Sequence, residues 1–155
     1  MNVYRVYADT SVFGGVFDAE FATASQTFFD QVGERFVLVT SALVQAELTT
    51  APEEIRDLFD RMLADAEIIA VSEPVLRLQQ AYLRAGVVST KWATDALHVA
   101  LATVAACNFI ISWNFKHIVH FEKIPLYNAV NTLEGYSSIA IYSPREVISY
   151  EDSEN

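Results

Sequence analysis

Three acidic residues of this chain stand alone in long apolar stretches, and they are its best candidates for chemistry. Asp9, Glu47 and Asp95 are each the sole formal charge of a segment, the segments being residues 6–17, 36–52 and 92–115. An ionised carboxylate in apolar surroundings is costly unless it is paired or binds a metal. No lone bases match the three acids, so we expect the acids to share one pocket.

Clustered carboxylates would require compensation. Two of them about 5 Å apart repel by roughly 3 kcal/mol at an effective dielectric constant near 20. Either some of them are protonated or a cation fills the pocket. Oxygen ligands select hard ions, which favours Mg²⁺ or Mn²⁺ over Zn²⁺. Such an ion can activate water and stabilise the charge that develops on a phosphoryl oxygen.

Several polar residues could complete such a site. Thr10 and Ser11 follow Asp9 and can add a hydroxyl or a backbone N–H. Ser112 and Asn114 follow an apolar segment and can supply ligands or orient a water molecule. Farther along, Lys116 and His117 can contact a substrate phosphate, although solvated side chains are the simpler interpretation.

The acids also have simpler interpretations. Asp9 can cap the turn that follows it, Glu47 can pair with an arginine from elsewhere, and Asp95 can pair with Lys91 one helical turn earlier. The isolation of all three acids in apolar sequence favours the metal site.

The histidines leave alternatives open. His98 lies one turn after Asp95, where it can be a core histidine or can support Asp95 from behind. His117 and His120 have helical i,i+3 spacing, but no third soft ligand accompanies them, so a zinc site there is disfavoured.

The hydrophobic pattern alternates strands with helices. It predicts strands at residues 3–8, 36–39, 67–71, 109–112 and 138–142. It predicts helices at residues 18–33, 42–48, 53–64, 74–85, 91–107 and 126–135, with a turn after Asp9 and a short helix or turn from Pro144. Ser41 is the expected N-cap of the helix that carries Glu47.

Alternation of this kind predicts a three-layer α/β/α sandwich around a mainly parallel sheet of about five strands. Sites in such sheets lie outside the carboxyl ends of the strands. Asp9 ends the first predicted strand and Ser112 to Asn114 follow the fourth, while Glu47 and Asp95 lie on helices that can form the walls.

The totals favour one globular domain. The chain has 155 residues, of which 52% are hydrophobic, and a mean hydropathy of +0.23. We expect a domain over residues 1–148 and a polar tail over 149–155, with no signal peptide and no membrane-spanning segment. A single cysteine, Cys107, fits a reducing cytoplasm.

The charge balance excludes one mode of nucleic-acid binding. With 20 acidic and 10 basic residues the formal net charge is −10, which argues against a broad basic surface. It does not exclude a protein whose acids bind metal ions that meet phosphate, because the ions invert the local charge.

Taken together, the motifs resemble those of PIN domains. The matching residues are Asp9-Thr-Ser, Ser41 with Glu47, Asp95-Ala-Leu-His98, and Ser112-Trp-Asn-Phe. The similarity runs from about Val3 to Val147 and is greatest to toxin-type PIN proteins of the VapC kind. It implies a metal-dependent endoribonuclease, a homodimer and a small basic antitoxin protein as partner.

The resemblance also assigns roles. It implies that Asp9, Glu47 and Asp95 hold Mg²⁺ or Mn²⁺ and act in catalysis, with Asn114 where the family often has a fourth acid. The alternative is a catalytically weak or inactive PIN-fold binding module. We expect the dimer to use apolar surface on the helices predicted at residues 18–33 and 53–64.

Other enzyme classes fit poorly. A response-regulator receiver needs an acidic pair near the first strand, and a haloacid-dehalogenase-type phosphatase needs Asp-x-Asp there, whereas this chain has Asp9-Thr-Ser11. No Gly-x-Ser-x-Gly motif or Cys/His pair supports nucleophilic hydrolysis.

Overall fold

This computed structural model describes residues 3–150 of the chain. These residues contain five strands and eight α-helices, joined by loops and turns. The strands are β1 Tyr4–Ala8, β2 Phe36–Ser41, β3 Glu67–Ile69, β4 Phe109–Ile111 and β5 Ala140–Tyr142. The helices are α1 Thr10–Gly15, α2 Ala22–Asp30, α3 Ala42–Leu48, α4 Glu53–Leu63, α5 Glu73–Arg84, α6 Ala93–Val104, α7 Lys123–Leu133 and α8 Pro144–Val147.

All five strands are parallel, in the order β3-β2-β1-β4-β5, and helices flank the sheet on both sides. The predicted α/β/α sandwich is therefore confirmed. Val6, Tyr7 and Ala8 of the central strand are completely buried, as expected where helices cover both faces. The strand order reverses between β1 and β4, and ligands of open α/β sheets bind in the crevice at such a point.

The helix α6 is buried along most of its length, as its apolar sequence predicted. Its residues from His98 to Thr103 are all buried, and the helix packs against α5. A 3₁₀ turn at Thr90–Trp92 leads into α6 and leaves Asp95 in the first helical turn.

The segment after Asp9 differs from the prediction. A short helix, α1, replaces the predicted turn because the Asp9 side chain caps it by accepting the Ser11 N–H. The helix predicted over residues 18–33 is limited to α2, since Asp18 accepts the Glu20 N–H at 2.8 Å in a local turn that competes with helix.

The two helices expected to form a dimer expose less apolar surface than predicted. Among the described residues, no large hydrophobic side chain of α2 or α4 is exposed. The most exposed ones are Phe121 and Leu133, at 81% and 83%, near the two ends of α7.

The predicted tail is partly anchored. Ser149 exchanges two hydrogen bonds with the Gln31 side chain, and the Tyr150 hydroxyl donates to the Arg145 carbonyl. The remainder of that tail, residues 151–155, lies outside the described residues. Within residues 3–150 no helix has the length and apolar character needed to cross a membrane.

Two adjacent glycines at the end of α1 meet different surroundings. A Cβ atom on Gly15 would lie 2.6 Å from Ser25 Oγ and 2.7 Å from Trp113 Nε1, whereas one on Gly14 would meet no atom within 4 Å. Ser25 and Trp113 are buried and bonded to each other at 2.8 Å. Gly15 is therefore required for Trp113 to pack where it does.

We expect Gly15→Ala to lower the free energy of unfolding by about 1–3 kcal/mol, the usual cost of overpacking a core. Gly14→Ala is the matched control and should be neutral or stabilising by up to about 1 kcal/mol, because alanine is the better helix former. Urea unfolding measures both variants. Equal stability of the two would show that the Trp113 packing tolerates the extra methyl group.

Candidate active site

The two strands at the reversal of the sheet carry Asp9 and Ser112 to the same edge. Ala8 of β1 is paired with Ile111 of β4, and the Asp9 N–H donates to the Ile111 carbonyl at 3.3 Å. Both side chains therefore stand at the carboxyl ends of neighbouring strands, where the sequence analysis expected them.

The Asp9 carboxylate is buried, with 4% of the residue exposed, and both of its oxygens accept hydrogen bonds. Oδ1 accepts from the Ser11 N–H at 3.1 Å and the Ser11 hydroxyl at 2.5 Å. Oδ2 accepts from the Ser112 hydroxyl at 2.5 Å. These donors fix the carboxylate without supplying a positive charge.

Burial raises the pKa of Asp9 above the usual aspartate value, although the positive charge of a protonated His98 and the hydrogen bonds from Ser11 and Ser112 offset part of the effect. The folded protein thus holds this acid in surroundings that disfavour its charge. A cation beside Asp9 would relieve that cost.

Glu47 lies in the last turn of α3, the helix that Ser41 caps by accepting the Val44 N–H at 3.2 Å, as predicted. Glu47 Oε1 accepts from the Thr10 hydroxyl at 2.6 Å and lies 2.7 Å from His98 Nε2. The partner of Glu47 is therefore a histidine, and the alternative of an arginine partner is wrong.

A buried chain of hydrogen bonds orients His98. The Tyr7 hydroxyl lies 2.8 Å from His98 Nδ1 and 2.8 Å from the Ser41 hydroxyl. A neutral His98 with its proton on Nε2 satisfies the whole chain: Ser41 donates to Tyr7, Tyr7 donates to Nδ1, and Nε2–H donates to Glu47. Support of Asp95 by His98 is therefore wrong, since both ring nitrogens are engaged elsewhere.

Both acids affect the pKa of Tyr7. Burial raises the pKa of Tyr7 well above its usual value, and the negative charges of Asp9 and Glu47 raise it further. Partial burial raises the pKa of Glu47, but the hydrogen bonds from His98 and Thr10 outweigh that effect and lower it overall. Glu47 is thereby held ionised near Asp9.

Asp95 lies on a different element from Asp9 and Glu47. It is partly buried in the first turn of α6, one turn before His98, and no ion pair joins it to Lys91 within the described residues. Its charge acts on His117 and Tyr127. Convergence of Asp95 with Asp9 and Glu47 on one ion stays a prediction.

Asn114 organises the loop after β4. Its Oδ1 accepts the His117 N–H at 2.9 Å, and its own N–H donates to Ser112 Oγ at 2.9 Å. The amide oxygen that was predicted to face a metal ion is thus a cap for the following turn. His117 therefore lies in a turn and His120 in the loop after it, not on a helix, so they lack the i,i+3 helical arrangement on which the zinc alternative depended.

Positive charge gathers beside Asp95. Lys91, Lys116 and Lys123 are the only lysines of the chain, and the ammonium groups of Lys91 and Lys116 lie 5.1 Å and 5.5 Å from the centre of the Trp92 ring. Trp92 stacks on His117 with the rings 4.2 Å apart.

His117 is buried and its Nε2 has no hydrogen-bond partner among the described residues. Burial lowers the pKa of His117; the charge of Asp95 raises it, and those of Lys116 and Lys123 lower it further. A buried imidazole nitrogen without a partner costs free energy, which a bound donor or acceptor would recover.

No three His, Cys, Asp or Glu side chains within residues 3–150 are arranged to hold one metal ion together. The donors present at the sheet edge are carboxylate and hydroxyl oxygens, from Asp9, Glu47, Thr10, Ser11 and Ser112. This set suits a hard ion that keeps part of its water shell, because Mg²⁺ is usually held by one or two carboxylates together with waters and substrate phosphates.

Tyr7 was not predicted as part of the site. The sequence does contain a signal for it. Side chains two positions apart along a strand share a face, so Tyr7 lies on the same face of the sheet as Asp9. A tyrosine in a fully buried strand also needs a partner for its hydroxyl.

Comparisons with known proteins bear on the fold. No family model and no curated protein matches the chain. Among solved structures, a chain of VapBC2 from Rickettsia felis, crystallised with a DNA fragment from its promoter, is similar with a TM-score of 0.59 and 15% identity. The match covers 88% of this chain and 96% of that one. The fold is therefore PIN-like, as the resemblance to VapC-type proteins implied.

The raised pKa of Asp9 predicts how stability depends on pH in metal-free buffer. An unfolded chain releases this proton at the ordinary aspartate value, while the folded chain keeps it to higher pH. The wild type should therefore lose stability relative to Asp9→Asn as the pH rises through that window, and the difference should be constant above it.

Glu67→Gln serves as a control of opposite sign, because the hydrogen bond from Arg5 lowers the pKa of Glu67. The wild type should gain stability relative to that variant as the pH rises, by a small amount since the pair is exposed. Thermal unfolding between pH 3 and 8, a range set by ordinary carboxyl pKa values of about 4, measures both. A wild-type advantage over Asp9→Asn that grows with pH contradicts the assignment.

Proposed function

We propose that this protein is a metal-dependent endoribonuclease that hydrolyses RNA phosphodiester bonds with Mg²⁺ or Mn²⁺. The observation that carries the proposal is the buried Asp9 carboxylate at the strand reversal, held by Ser11 and Ser112 with Glu47 oriented nearby. Ionisable groups that are buried at a cost in free energy and held in position by neighbours are found mainly at functional sites. The PIN-like fold and the VapC-type motifs support the same activity.

Asp9 and Glu47 would hold the ion, with Asp95 adding negative charge from the start of α6. When bound, the ion supplies a Lewis acid that activates water and neutralises charge on the phosphate. Ser11 and Ser112 keep the Asp9 carboxylate in position, while Thr10 and His98 do the same for Glu47. Removing a supporting hydrogen bond of this kind typically lowers activity or metal affinity by roughly 10- to 100-fold.

RNA is the substrate that the surrounding charges favour. In a chain with a net charge of −10, Lys91 and Lys116 flank one indole ring beside Asp95. Lysines next to catalytic acids suit a polyanion, whose phosphates they contact without reading sequence. His117 stacks on the same indole and supports it from the protein side; its Nε2 is buried, so contact of that atom with a substrate phosphate would require the side chain to move.

Two partners belong to the proposal. The acidic surface favours a small basic antitoxin protein, and the complex named VapBC2 supports this by analogy of fold alone. A homodimer would cover exposed apolar side chains such as Phe121 and Leu133 of the α7 region. We propose a cytoplasmic protein, in keeping with the single buried thiol of Cys107.

A PIN-fold binding module without activity is the second candidate. Asn114 favours it, because an amide stands where a fourth acid is common and its oxygen already accepts the His117 N–H. Cleavage assays separate the two candidates directly.

We expect purified protein to cleave a generic single-stranded RNA in Mn²⁺ or Mg²⁺ and to be inactive in EDTA. Asp9→Asn should abolish cleavage, because it removes a charged ligand while keeping the shape of the side chain. Asp57→Asn, an exposed acid on α4, is the matched control and should retain wild-type activity. Gel analysis of end-labelled RNA measures all three.

Lys116→Gln tests the substrate side of the same proposal. It should raise KM with little change in kcat, since a phosphate contact of this kind binds substrate and transition state alike. Cleavage that persists in EDTA, or that Asp9→Asn retains, contradicts the proposed mechanism. Binding of RNA without cleavage under every metal condition favours the binding module.

A further inference from the structure

A cleft of about 300 Å³ opens next to Asp9, on the side of the site that Ser11 and Asn114 form. Ser11 and Asn114 form the part of its lining that is nearest the site: Ser11 donates to Asp9, and Asn114 follows Ser112 in the loop after β4. Whatever fills the cleft would therefore lie next to a substrate held by Asp9.

Aromatic rings form a wall of this cleft. Phe21 stacks on Trp113 with ring centres 4.2 Å apart and planes 20° apart, and both line the cleft. Phe115 does not line the cleft itself but extends the wall: its ring centre lies 6.1 Å from that of Trp113, and the residue is 45% exposed. Trp113 belongs to the hydrophobic core, whereas Phe21 is only partly buried and Phe115 is exposed, so the wall presents aromatic surface at the edge of the site.

The wall is fixed in place. Trp113 donates from Nε1 to Ser25 at 2.8 Å and from its backbone N–H to Ser11 at 2.9 Å. Gly15 also lines the cleft, and a side chain there would displace Trp113. A rigid aromatic surface binds a flat ligand with little loss of conformational entropy.

Charge and hydrogen-bonding groups around the wall match a nucleotide. The exposed Arg145 guanidinium lies 5.2 Å from the Trp113 ring centre and 5.9 Å from that of Phe21, and it donates to the Glu20 carbonyl at 3.1 Å. It can pair with a phosphate beside a stacked base. The Asp18 carboxylate in the lining can accept from a base N–H.

From this combination we infer that the cleft binds one unpaired nucleobase of the RNA strand, stacked on the aromatic wall of Phe21, Trp113 and Phe115. Proteins recognise single-stranded RNA by stacking unpaired bases on aromatic side chains. The inference rests on the proposed ribonuclease function and deepens it, since a base held next to Asp9 would set the position of cleavage along the strand.

Abasic scanning tests the inference by affinity rather than by activity. Every protein carries Asp9→Asn, so that affinity can be measured in Mg²⁺ without cleavage. Fluorescence anisotropy compares a short single-stranded RNA with versions that lack the base at one position each. We expect one position at which removal of the base weakens binding about tenfold, the effect of losing a stacked base.

Phe21→Leu should remove that dependence, so that the abasic and intact RNAs bind alike. Phe115→Leu should reduce it as well, and because its ring is exposed the variant should fold normally. Tyr4→Leu is the matched control: Tyr4 is a partly buried aromatic residue at the opposite end of β1, and its loss should leave the dependence intact.

The outcomes separate the two claims. RNA binding that ignores the absence of any single base, or a base dependence that survives both Phe21→Leu and Phe115→Leu, overturns the nucleobase site and leaves the ribonuclease proposal standing. A cleft that serves a protein partner instead would give this result. No RNA binding by any variant contradicts the proposed function and this inference with it.

Discussion

The structure depends on one buried carboxylate at the end of its central strand. Asp9 directly follows the buried end of that strand, and only 4% of the residue is exposed. Its oxygens are satisfied by Ser11 and Ser112, so one side chain ties β1 to the first turn of α1 and to the loop after β4. These donors are neutral, and burial leaves the pKa of Asp9 raised. The fold therefore maintains an under-compensated negative site that gains from a cation.

A second network of hydrogen bonds orients the other acid, Glu47. Ser41 begins α3 and its hydroxyl also bonds Tyr7, which bonds His98, which bonds Glu47. One chain of hydrogen bonds thus links β1, β2, α3 and α6 and ends on the second acid. Ser41, Tyr7 and His98 are all buried, so the orientation of the partly exposed Glu47 is a consequence of how the elements pack. Loss of one member would leave buried polar groups unpaired.

The sequence predicted the fold and much of the edge at which the candidate site lies. Parallel strands and the positions of Asp9, Ser41, Glu47 and Ser112 follow from local patterns: buried strands, a helix cap, and polar residues at strand ends. Contacts between side chains far apart in sequence were less accessible. The sequence left His98 as either a core histidine or a support for its helical neighbour Asp95. It is a buried histidine whose partner is Glu47, 51 residues away, which spacing along a helix does not reveal. The helix boundaries after β1 were also predicted wrongly. The side chains of Asp9 and Asp18 accept backbone N–H groups of Ser11 and Glu20, and these local hydrogen bonds decide where the helix and the turn begin.

We propose that Asp9 and Glu47 together hold a hard divalent ion. Titration of Mn²⁺ into the protein, with free Mn²⁺ followed by electron paramagnetic resonance, measures this without substrate or turnover. We expect a saturable site in the wild type, and we expect Asp9→Asn and Glu47→Gln each to weaken it by at least about tenfold because a charged ligand is lost. Mn²⁺ binding that is absent at millimolar concentration, or that is unchanged in both variants, would contradict it.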